Sequence, residues 1–258
     1  MSEPIHPCAG RQGRRRRHDA SPKALAERVN LLVADRASRV ALDFQRSAYG
    51  SGLDILCLAA EHGLTALRQA RDGHARELAS LPPEAHRRWD FDEYGGQFEI
   101  TSPAADLETD IEMATDALNE LRKAFAVAAY HHWERSVIEW WHAARPTILP
   151  PGRPPFGYDH LKKAAKRLSV RPAPALNKVV TLANALKHND KRRWNELKKQ
   201  WPEVIARERY RSRADWAGTI QLNDTQLLEV FQAVQQSGPS SSQQQKWSPL
   251  PFTPRDDA

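Results

Sequence analysis

Residues 104–145 contain neither glycine nor proline, and this uninterrupted stretch constrains the fold more than any other feature of the sequence. Ser102-Pro103 precedes it. This pair favours the start of a helix, because serine caps free amides and proline lacks an amide that the first turn would leave unpaired. At about 1.5 Å per residue, a helix of this length spans roughly 60 Å. The stretch therefore predicts one long central helix that ends before Pro146.

The two parts of this predicted helix differ in chemistry. Nine carboxylates and no lysine or arginine occur between Asp92 and Glu120. The second part carries five large aromatic residues, Phe125, Tyr130, Trp133, Trp140 and Trp141. Aromatic residues at helical spacing belong to a core more often than to a surface that stacks on bases. We expect the acidic part to be solvated and the aromatic part to be buried.

Other segments also show helical periodicity together with start and stop signals. A first helix is predicted from Ser21-Pro22 to about Arg46 and a second from Leu53 to about Leu81, with a break at Tyr49-Gly50-Ser51-Gly52. Shorter helices are predicted over 158–168, 175–188 and 191–200, and from Asn223 or Asp224 to about Gln236, with a lone short strand at 218–222. Residues 84–101 are predicted to form a loop anchored by four aromatic residues, Trp89, Phe91, Tyr94 and Phe98.

These elements predict an all-α fold, a helical bundle with one long central helix. Residues 1–20 are expected to form a disordered basic N-terminal arm, and residues 21–101 an N-terminal helical hairpin followed by the aromatic loop. Residues 102–236 form the predicted bundle. Residues 237–258, rich in serine, glutamine, glycine and proline, are expected to be a disordered C-terminal tail.

The charge of the chain is unevenly distributed. The whole sequence has 38 Lys and Arg against 32 Asp and Glu, a formal net charge of +6. Residues 159–213 alone hold sixteen Lys and Arg against five Asp and Glu, which gives +11. Such a segment attracts phosphate polyanions by counterion release. Two interpretations stay open: contact with nucleic acid, or pairing with the acidic stretch 92–120 within the chain or in a dimer.

Several classes of function lack their sequence signals. No phosphate-binding loop, dinucleotide-binding glycine string or nucleophile elbow occurs. Glu139 and His142 have the Glu-x-x-His spacing of di-iron bundles, but that site needs a second copy of the motif. His131 and Glu134 supply only two of the three or four ligands that zinc requires. We therefore expect no metal and no cofactor.

The sequence lacks the features that are typical of secreted and membrane proteins. Two cysteines are too few for a disulfide framework. No apolar run approaches the roughly 20 residues of a membrane span, and the arginine cluster at 14–17 is not followed by the apolar stretch of a signal peptide. We expect a cytoplasmic protein that does not engage a membrane.

The strongest functional signal is the string Leu182-Ala-Asn-Ala-Leu-Lys-His-Asn-Asp190. On a helix, Asn184 and His188 lie one turn apart, and Lys187 is next to His188. A histidine titrates near neutrality and can move a proton at the 2′-hydroxyl or the leaving 5′-oxygen of RNA, while a cation holds the scissile phosphate. The alternative is a histidine that interacts with the carbonyls and the dipole of a helix end.

This string resembles the signature of the HEPN superfamily, which consists of all-helical bundles that often dimerise and include metal-independent RNases of toxin and defence systems. The signature is an arginine, usually a polar residue after it, a few spacers and a histidine. Asn184 and His188 occupy the polar and histidine places, whereas Ala183 stands where the family has its phosphate-binding arginine. Lys187 is a cation, but it lacks the planar two-pronged geometry of arginine.

A second resemblance covers roughly residues 122–235. The segments Tyr130-His-His-Trp-Glu134 and Asn184-Ala-Leu-Lys-His188 are similar to those of a set of uncharacterised bacterial helical proteins, and Leu197-Lys-Lys-Gln-Trp-Pro202 takes the place of a third segment. The resemblance implies that Glu134 and His131 face Asn184, Lys187 and His188 in one polar pocket.

The sequence leads to one functional prediction and two alternatives. We expect an RNA-engaging, HEPN-like protein that acts as a metal-independent endoribonuclease of a toxin or defence system. In it, His188 is the acid and base, Lys187 binds phosphate, Asn184 positions His188 or the substrate, and Glu134 orients the pocket.

Further nucleic-acid contacts are expected from His131, Lys191, Arg192 and Arg193. The expected partners are RNA, a second copy of the chain in a homodimer, and a protein partner such as an antitoxin. The alternatives are a non-catalytic helical interaction or regulatory protein and a plain basic nucleic-acid-binding module.

Overall fold

Two long antiparallel helices, α1 (Pro22–Ser80) and α2 (Pro103–Ala144), form the frame of the structure. The structure is a computed structural model that describes residues 22–100, 102–144, 155–206, 215–239 and 249–255. Three contacts set the register of the helix pair, and they step by eleven residues along both helices: Gly52 with His132, Gly63 with Leu121, and His74 with Asp110. Eleven residues make about three helical turns, so the same face of each helix meets the other at all three contacts.

Helix α2 confirms the long central helix that the sequence predicts. Its acidic first half is largely exposed, and its buried positions become frequent from Leu118 onwards. Trp133 and Trp140 are fully buried, and Trp141 is nearly so. The aromatic residues of α2 are therefore the centre of the hydrophobic core, as expected.

Helix α1 corrects the prediction of an N-terminal helical hairpin. The chain does not break at Tyr49-Gly50-Ser51-Gly52 but continues as one helix of 59 residues. Tyr49 is buried, and its hydroxyl donates a hydrogen bond to the carbonyl of Val234 at 2.5 Å. The glycines, which predict a break, lie instead in a segment held by tertiary contacts, and such contacts override helix propensity.

Residues 84–101, predicted to be an anchored loop, form a small connector between the long helices. A 3₁₀ turn (Pro83–His86) precedes strands β1 (Trp89–Phe91) and β2 (Gln97–Glu99), which pair antiparallel with Trp89 opposite Glu99. The four aromatic side chains of this segment are exposed, Tyr94 to 89%. Their predicted role as anchors is therefore wrong.

The second half of the chain forms short helices that pack against α2 or against one another. Helices α3 (Tyr158–Arg167), α4 (Leu176–His188), α5 (Lys191–Gln200) and α6 (Asp224–Gln236) agree with the predicted ones. Asn223 caps α6 in a capping box with Gln226. The predicted lone strand at 218–222 is reduced to a single bridge between Ile205 and Ile220 beside a 3₁₀ turn (Ala217–Thr219).

Part of the predicted disordered tail is ordered against the bundle. Phe252 is buried and packs edge-on against Phe231 of α6, with ring centroids 5.5 Å apart. The backbone amide of Arg255 donates to Asp224 at 3.1 Å. The prediction thus fails for residues 249–255 and for Ser237, which is buried and whose carbonyl accepts a hydrogen bond from the Trp133 indole at 3.1 Å. The predicted basic arm, residues 1–20, lies outside the described residues.

Candidate nucleic-acid interface

Helix α4 carries a line of polar side chains on its outer side. We call Asn177, Thr181, Asn184 and His188 the α4 stripe; they recur at steps of four, three and four residues and are exposed or half-buried. The other side of the helix is apolar and buried: Leu176, Val179, Val180, Leu182, Ala183 and Ala185. This amphipathic pattern seats α4 on the core and leaves the stripe accessible.

The end of α4 presents the two residues that the motif analysis favours. Lys187 and His188 are both exposed and occupy the last turn. Asn189 caps the helix in a left-handed conformation, and its side-chain oxygen accepts a hydrogen bond from the amide of Ala217 at 2.8 Å. Cations in a last helical turn interact favourably with the helix dipole. Lys187 and His188 can therefore interact with the dipole of the helix end, and their side chains are also accessible to a ligand.

The place of the family's arginine faces the core. Ala183 is only 1% exposed, whereas His188 five residues later is exposed. Five residues correspond to about 140° around a helix, so these two positions point to different sides. An arginine at position 183 would enter the core rather than join His188.

Glu134 and His131 form a pair of their own on α2. His131 Nδ1 and Glu134 Oε2 are 3.0 Å apart. Burial, Glu134 and Tyr158 together raise the pKa of Tyr130 well above its ordinary value, burial contributing most. The rings of His131 and Tyr130 lie 5.8 Å apart, so the pair lies beside Tyr130. Glu134 does not pair with Arg135, which contacts Glu139 instead.

Tyr158 connects this pair to α4. Its hydroxyl donates to Asn177 Oδ1 at 2.6 Å, and its ring lies 6.0 Å from the ring of Trp133. Burial raises the pKa of Tyr158 to about 12, and Asp159 adds to the effect. The Glu134 region thus meets the first turn of α4.

The predicted site residues consequently lie at two ends of the α2–α4 contact. At the far end, Lys123 of α2 donates to the carbonyl of Ala217, whose amide contacts the α4 cap Asn189. Asn177 and His188 are eleven residues apart, or roughly 16 Å along the helix. The structure brings Asn184, Lys187 and His188 together. It does not place Glu134 and His131 with them in the pocket that the second resemblance implies.

Exposed basic side chains are frequent on the helices next to α4 in the chain and on α4 itself. Ten lysines and arginines within 159–206 are exposed: Lys163, Lys166, Arg167, Arg171, Lys178, Lys187, Lys191, Arg192, Lys198 and Lys199. None of these ten has an ion pair with a carboxylate among the described residues. Arg193 differs, because it pairs at 2.6 Å with Asp190, the N-cap of α5. Hydrogen bonding from the Arg193 amide and side chain lowers the pKa of Asp190.

Aromatic rings hold several of these cations. Four lysine ammonium groups lie between 5.1 and 6.0 Å from ring centroids, in the pairs Lys162–Tyr158, Lys178–Trp201, Lys191–Trp216 and Lys198–Trp194. Trp194 and Trp201 are themselves buried. These two rings therefore position charge and are not free platforms for bases.

The acidic stretch does not neutralise this region through the described ion pairs. Glu108 pairs with Arg88, Asp110 contacts His74 and Glu120 pairs with Lys123. Of the ion pairs between described residues, none joins residues 92–120 to residues 159–206.

The described residues hold no group of three or more histidine, cysteine, aspartate or glutamate side chains that could bind a metal ion. Nor is any helix among them both long and apolar enough to cross a membrane.

One cluster of charged residues was not found by sequence analysis. Asp224 is fully buried between Arg68 of α1 and Arg122 of α2, with the Arg122 Nε at 2.8 Å from Oδ1. In the sequence, Asp224 reads as the start of a helix, and its partners are 156 and 102 residues away. No pattern in the neighbouring sequence predicts an ion pair with residues so far away in the chain.

Comparisons of the chain with protein-family models, with curated proteins and with solved structures found no match. The proposed function therefore rests on the geometry of the site.

Proposed function

We propose that the protein binds the phosphate backbone of RNA through the exposed basic side chains of α3, α4 and α5 and of the segment between α3 and α4, which we call the basic surface. The observation that carries this proposal is the set of ten exposed lysines and arginines that have no carboxylate partner among the described residues. Unpaired surface cations attract a polyanion, whose binding releases condensed counterions. RNA is proposed as the polyanion because of the HEPN-like string in α4.

The basic surface favours binding that does not depend on the base sequence of the RNA. Tyr158 links α3 to Asn177 of α4, and Thr181 of α4 hydrogen-bonds Gln200 of α5 at 3.1 Å, so the three helices present their charges from one framework. Lysines are compact point charges suited to phosphate contacts. Phosphate contacts position a nucleic acid without reading its bases.

A second candidate is metal-independent cleavage of the bound RNA. It is favoured by Asn184 and His188 lying on the exposed α4 stripe with Lys187 beside them. In this version His188 exchanges the proton and Lys187 binds the scissile phosphate. Glu134 takes no part, because it lies with His131 near the opposite end of α4.

The binding proposal is tested with fluorescently labelled mixed-sequence RNA and anisotropy measurements from about 50 to about 200 mM salt. We expect the affinity to fall steeply with salt. The variant Lys187→Ala/Arg192→Ala removes two phosphate contacts and should reduce the slope of log K against log salt by roughly 1.4, at about 0.7 per contact for a single strand. The same charge change elsewhere, Arg76→Ala/Arg87→Ala, is the matched control and should leave the slope unchanged, because both arginines are exposed outside the basic surface.

Equal affinities across this salt range, or equal effects of the two double variants, would contradict the proposal. Cleavage is examined on the same RNA in EDTA with the parent protein and His188→Ala. Cutting by the parent alone supports the second candidate. Binding without cutting by either protein leaves RNA binding as the function and excludes cleavage of this RNA.

A further inference from the structure

An apolar stripe runs along α1 on the side that faces away from the core. We call its members the α1 stripe: Val29, Val33, Val40, Phe44, Ile55 and Leu58. Each is between 47% and 71% exposed. The core-facing residues of the same helix, such as Leu42, Tyr49 and Leu53, are buried. Helix α1 thus has two apolar faces, of which the bundle covers one from Leu42 onwards.

Much of the α1 stripe lies near or beyond the end of α2. The contacts between the two helices step by eleven residues, from His74–Asp110 to Gly63–Leu121 and Gly52–His132. One further step of eleven residues would place residue 143 of α2 beside residue 41 of α1. The described part of α2 ends one residue later, at Ala144. The preceding residues of α1 project by roughly 28 Å. Most of the stability of a helix in a protein comes from the packing of its apolar face, so a partner surface would stabilise this part of α1.

The α1 stripe is large enough for a stable interface with a copy of itself. If its six residues, each 47–71% exposed, are covered in full, they bury on the order of 600 Å² per copy and about 1,200 Å² for a pair, the lower end of the range for specific interfaces. Larger exposed apolar patches on soluble proteins mark interaction sites.

The order of residues along the stripe is self-complementary. Val29 and Leu58 lie fifteen and fourteen residues from Phe44, which occupies its middle. Small residues, Ser47 and Ser51, separate Phe44 from Ile55 on the same face. In an antiparallel pair with a two-fold axis beside Phe44, Val29 lies opposite Leu58 of the second copy and Val40 lies opposite Ser47. In a parallel pair in register, Ser47 and Ser51 of one copy would instead face Ser47 and Ser51 of the other.

The charges beside the stripe also fit this arrangement. Arg36 and Asp54 are both exposed, and both lie on one flank of the stripe. In the antiparallel pair, Arg36 of each copy comes within about one helical turn of Asp54 of the other. We propose that the α1 stripe binds the α1 stripe of a second copy of this chain, antiparallel, in an isologous interface.

The proposal is tested by sedimentation equilibrium of the full chain over about 1 to 100 µM, because self-association depends on concentration. We expect the parent to approach twice the mass of one chain. Val33→Asp and Ile55→Asp should each weaken the dimer by at least about 100-fold, since each buries an unpaired charge from both copies. The matched control is Leu31→Asp: Leu31 is 66% exposed but lies about 200° around the helix from Val33. It should dimerise like the parent.

Tryptophan fluorescence accompanies these measurements, because Trp133 and Trp140 report an intact core and separate loss of the dimer from unfolding. A parent that stays monomeric throughout overturns the proposal. So does a Leu31→Asp variant that dissociates as readily as Val33→Asp. A dimer that survives Ile55→Asp but not Val33→Asp overturns the antiparallel arrangement.

Discussion

Gly52 lacks a side chain where a neighbouring helix needs the space. An added Cβ would lie 2.6 Å from Cε1 of His132, whose ring is fixed by Tyr49 through stacking and a hydrogen bond to its carbonyl. Glycine disfavours a helix by up to about 1 kcal/mol relative to alanine. At this position the close contact between α1 and α2 compensates for that cost.

We expect Gly52→Ala to lower the free energy of unfolding by about 1–3 kcal/mol, because overpacking against His132 exceeds the gain in helix propensity. Gly73 is the matched control, since nothing lies within 4 Å of a Cβ added there. Gly73→Ala should raise the free energy of unfolding by about 0.5–1 kcal/mol. Urea denaturation measures both. A stabilising Gly52→Ala would show that the two helices are not in close contact here.

His132 gives the fold a dependence on pH. Burial lowers its pKa from the ordinary value of 6.5, and the hydrogen bond to the Tyr49 carbonyl opposes this shift only in part. Because the pKa is lower in the folded state than in the unfolded state, protonation favours unfolding. The stability that neutral His132 provides is complete above pH 6.5 and is lost as the pH falls towards the folded-state pKa.

The measurement is the free energy of unfolding of the parent and of His132→Gln between about pH 7.5 and pH 5. We expect a smaller decline for His132→Gln, because the variant has no group that must titrate at this position. His62→Gln, which changes an exposed histidine of α1, should decline like the parent. Parallel curves for the parent and His132→Gln would remove His132 as the cause.

At the scale of elements, Asp224 joins helices that the chain separates widely. It contacts Arg68 of α1 and Arg122 of α2, and it accepts the amide of Arg255. Asp224 itself is the first residue of α6. One carboxylate thus binds three helices and the 249–255 segment.

Removing this carboxylate charge should be costly. We expect Asp224→Asn to lower the free energy of unfolding by about 3–5 kcal/mol, because the buried Arg68 and Arg122 would lose the negative charge of the carboxylate that both contact. Glu229→Gln changes the same charge at an exposed position of α6 and should have little effect. Thermal or urea unfolding compares the two variants, and a similar small loss for both would contradict a structural role for the Asp224 cluster.

The elements also show what the sequence can predict. Helices α2 to α6 follow from local signals such as Ser102-Pro103 and the Asn223 capping box, which depend on neighbours in the chain. The continuity of α1 and the burial of Asp224 depend on residues more than 80 positions away. The same limit applies to the site: helical spacing predicts that Asn184 and His188 share a face, but it carries no information on where Glu134 lies relative to them.

At the scale of the whole molecule, stability varies along α1. From Tyr49 to Arg68 the helix has a buried face against α2 and α6, whereas between residues 26 and 41 the side chains with described burial are exposed, apart from half-buried Asp35. Local opening costs least where few apolar contacts form. The first part of α1 therefore has fewer packing contacts with the described part of the chain than the second part, which packs on the bundle.

Amide hydrogen exchange followed by mass spectrometry tests this division. In a dilute sample we expect slow exchange from Tyr49 to Arg68 and fast exchange over residues 26–41, because only the former opens with the whole bundle. Raising the protein concentration should slow exchange over residues 26–41 as the α1 stripes pair. In Val33→Asp the same increase should change nothing there. Slow exchange over residues 26–41 in dilute Val33→Asp would mean that α1 is stable without a partner and that its apolar stripe needs no second copy.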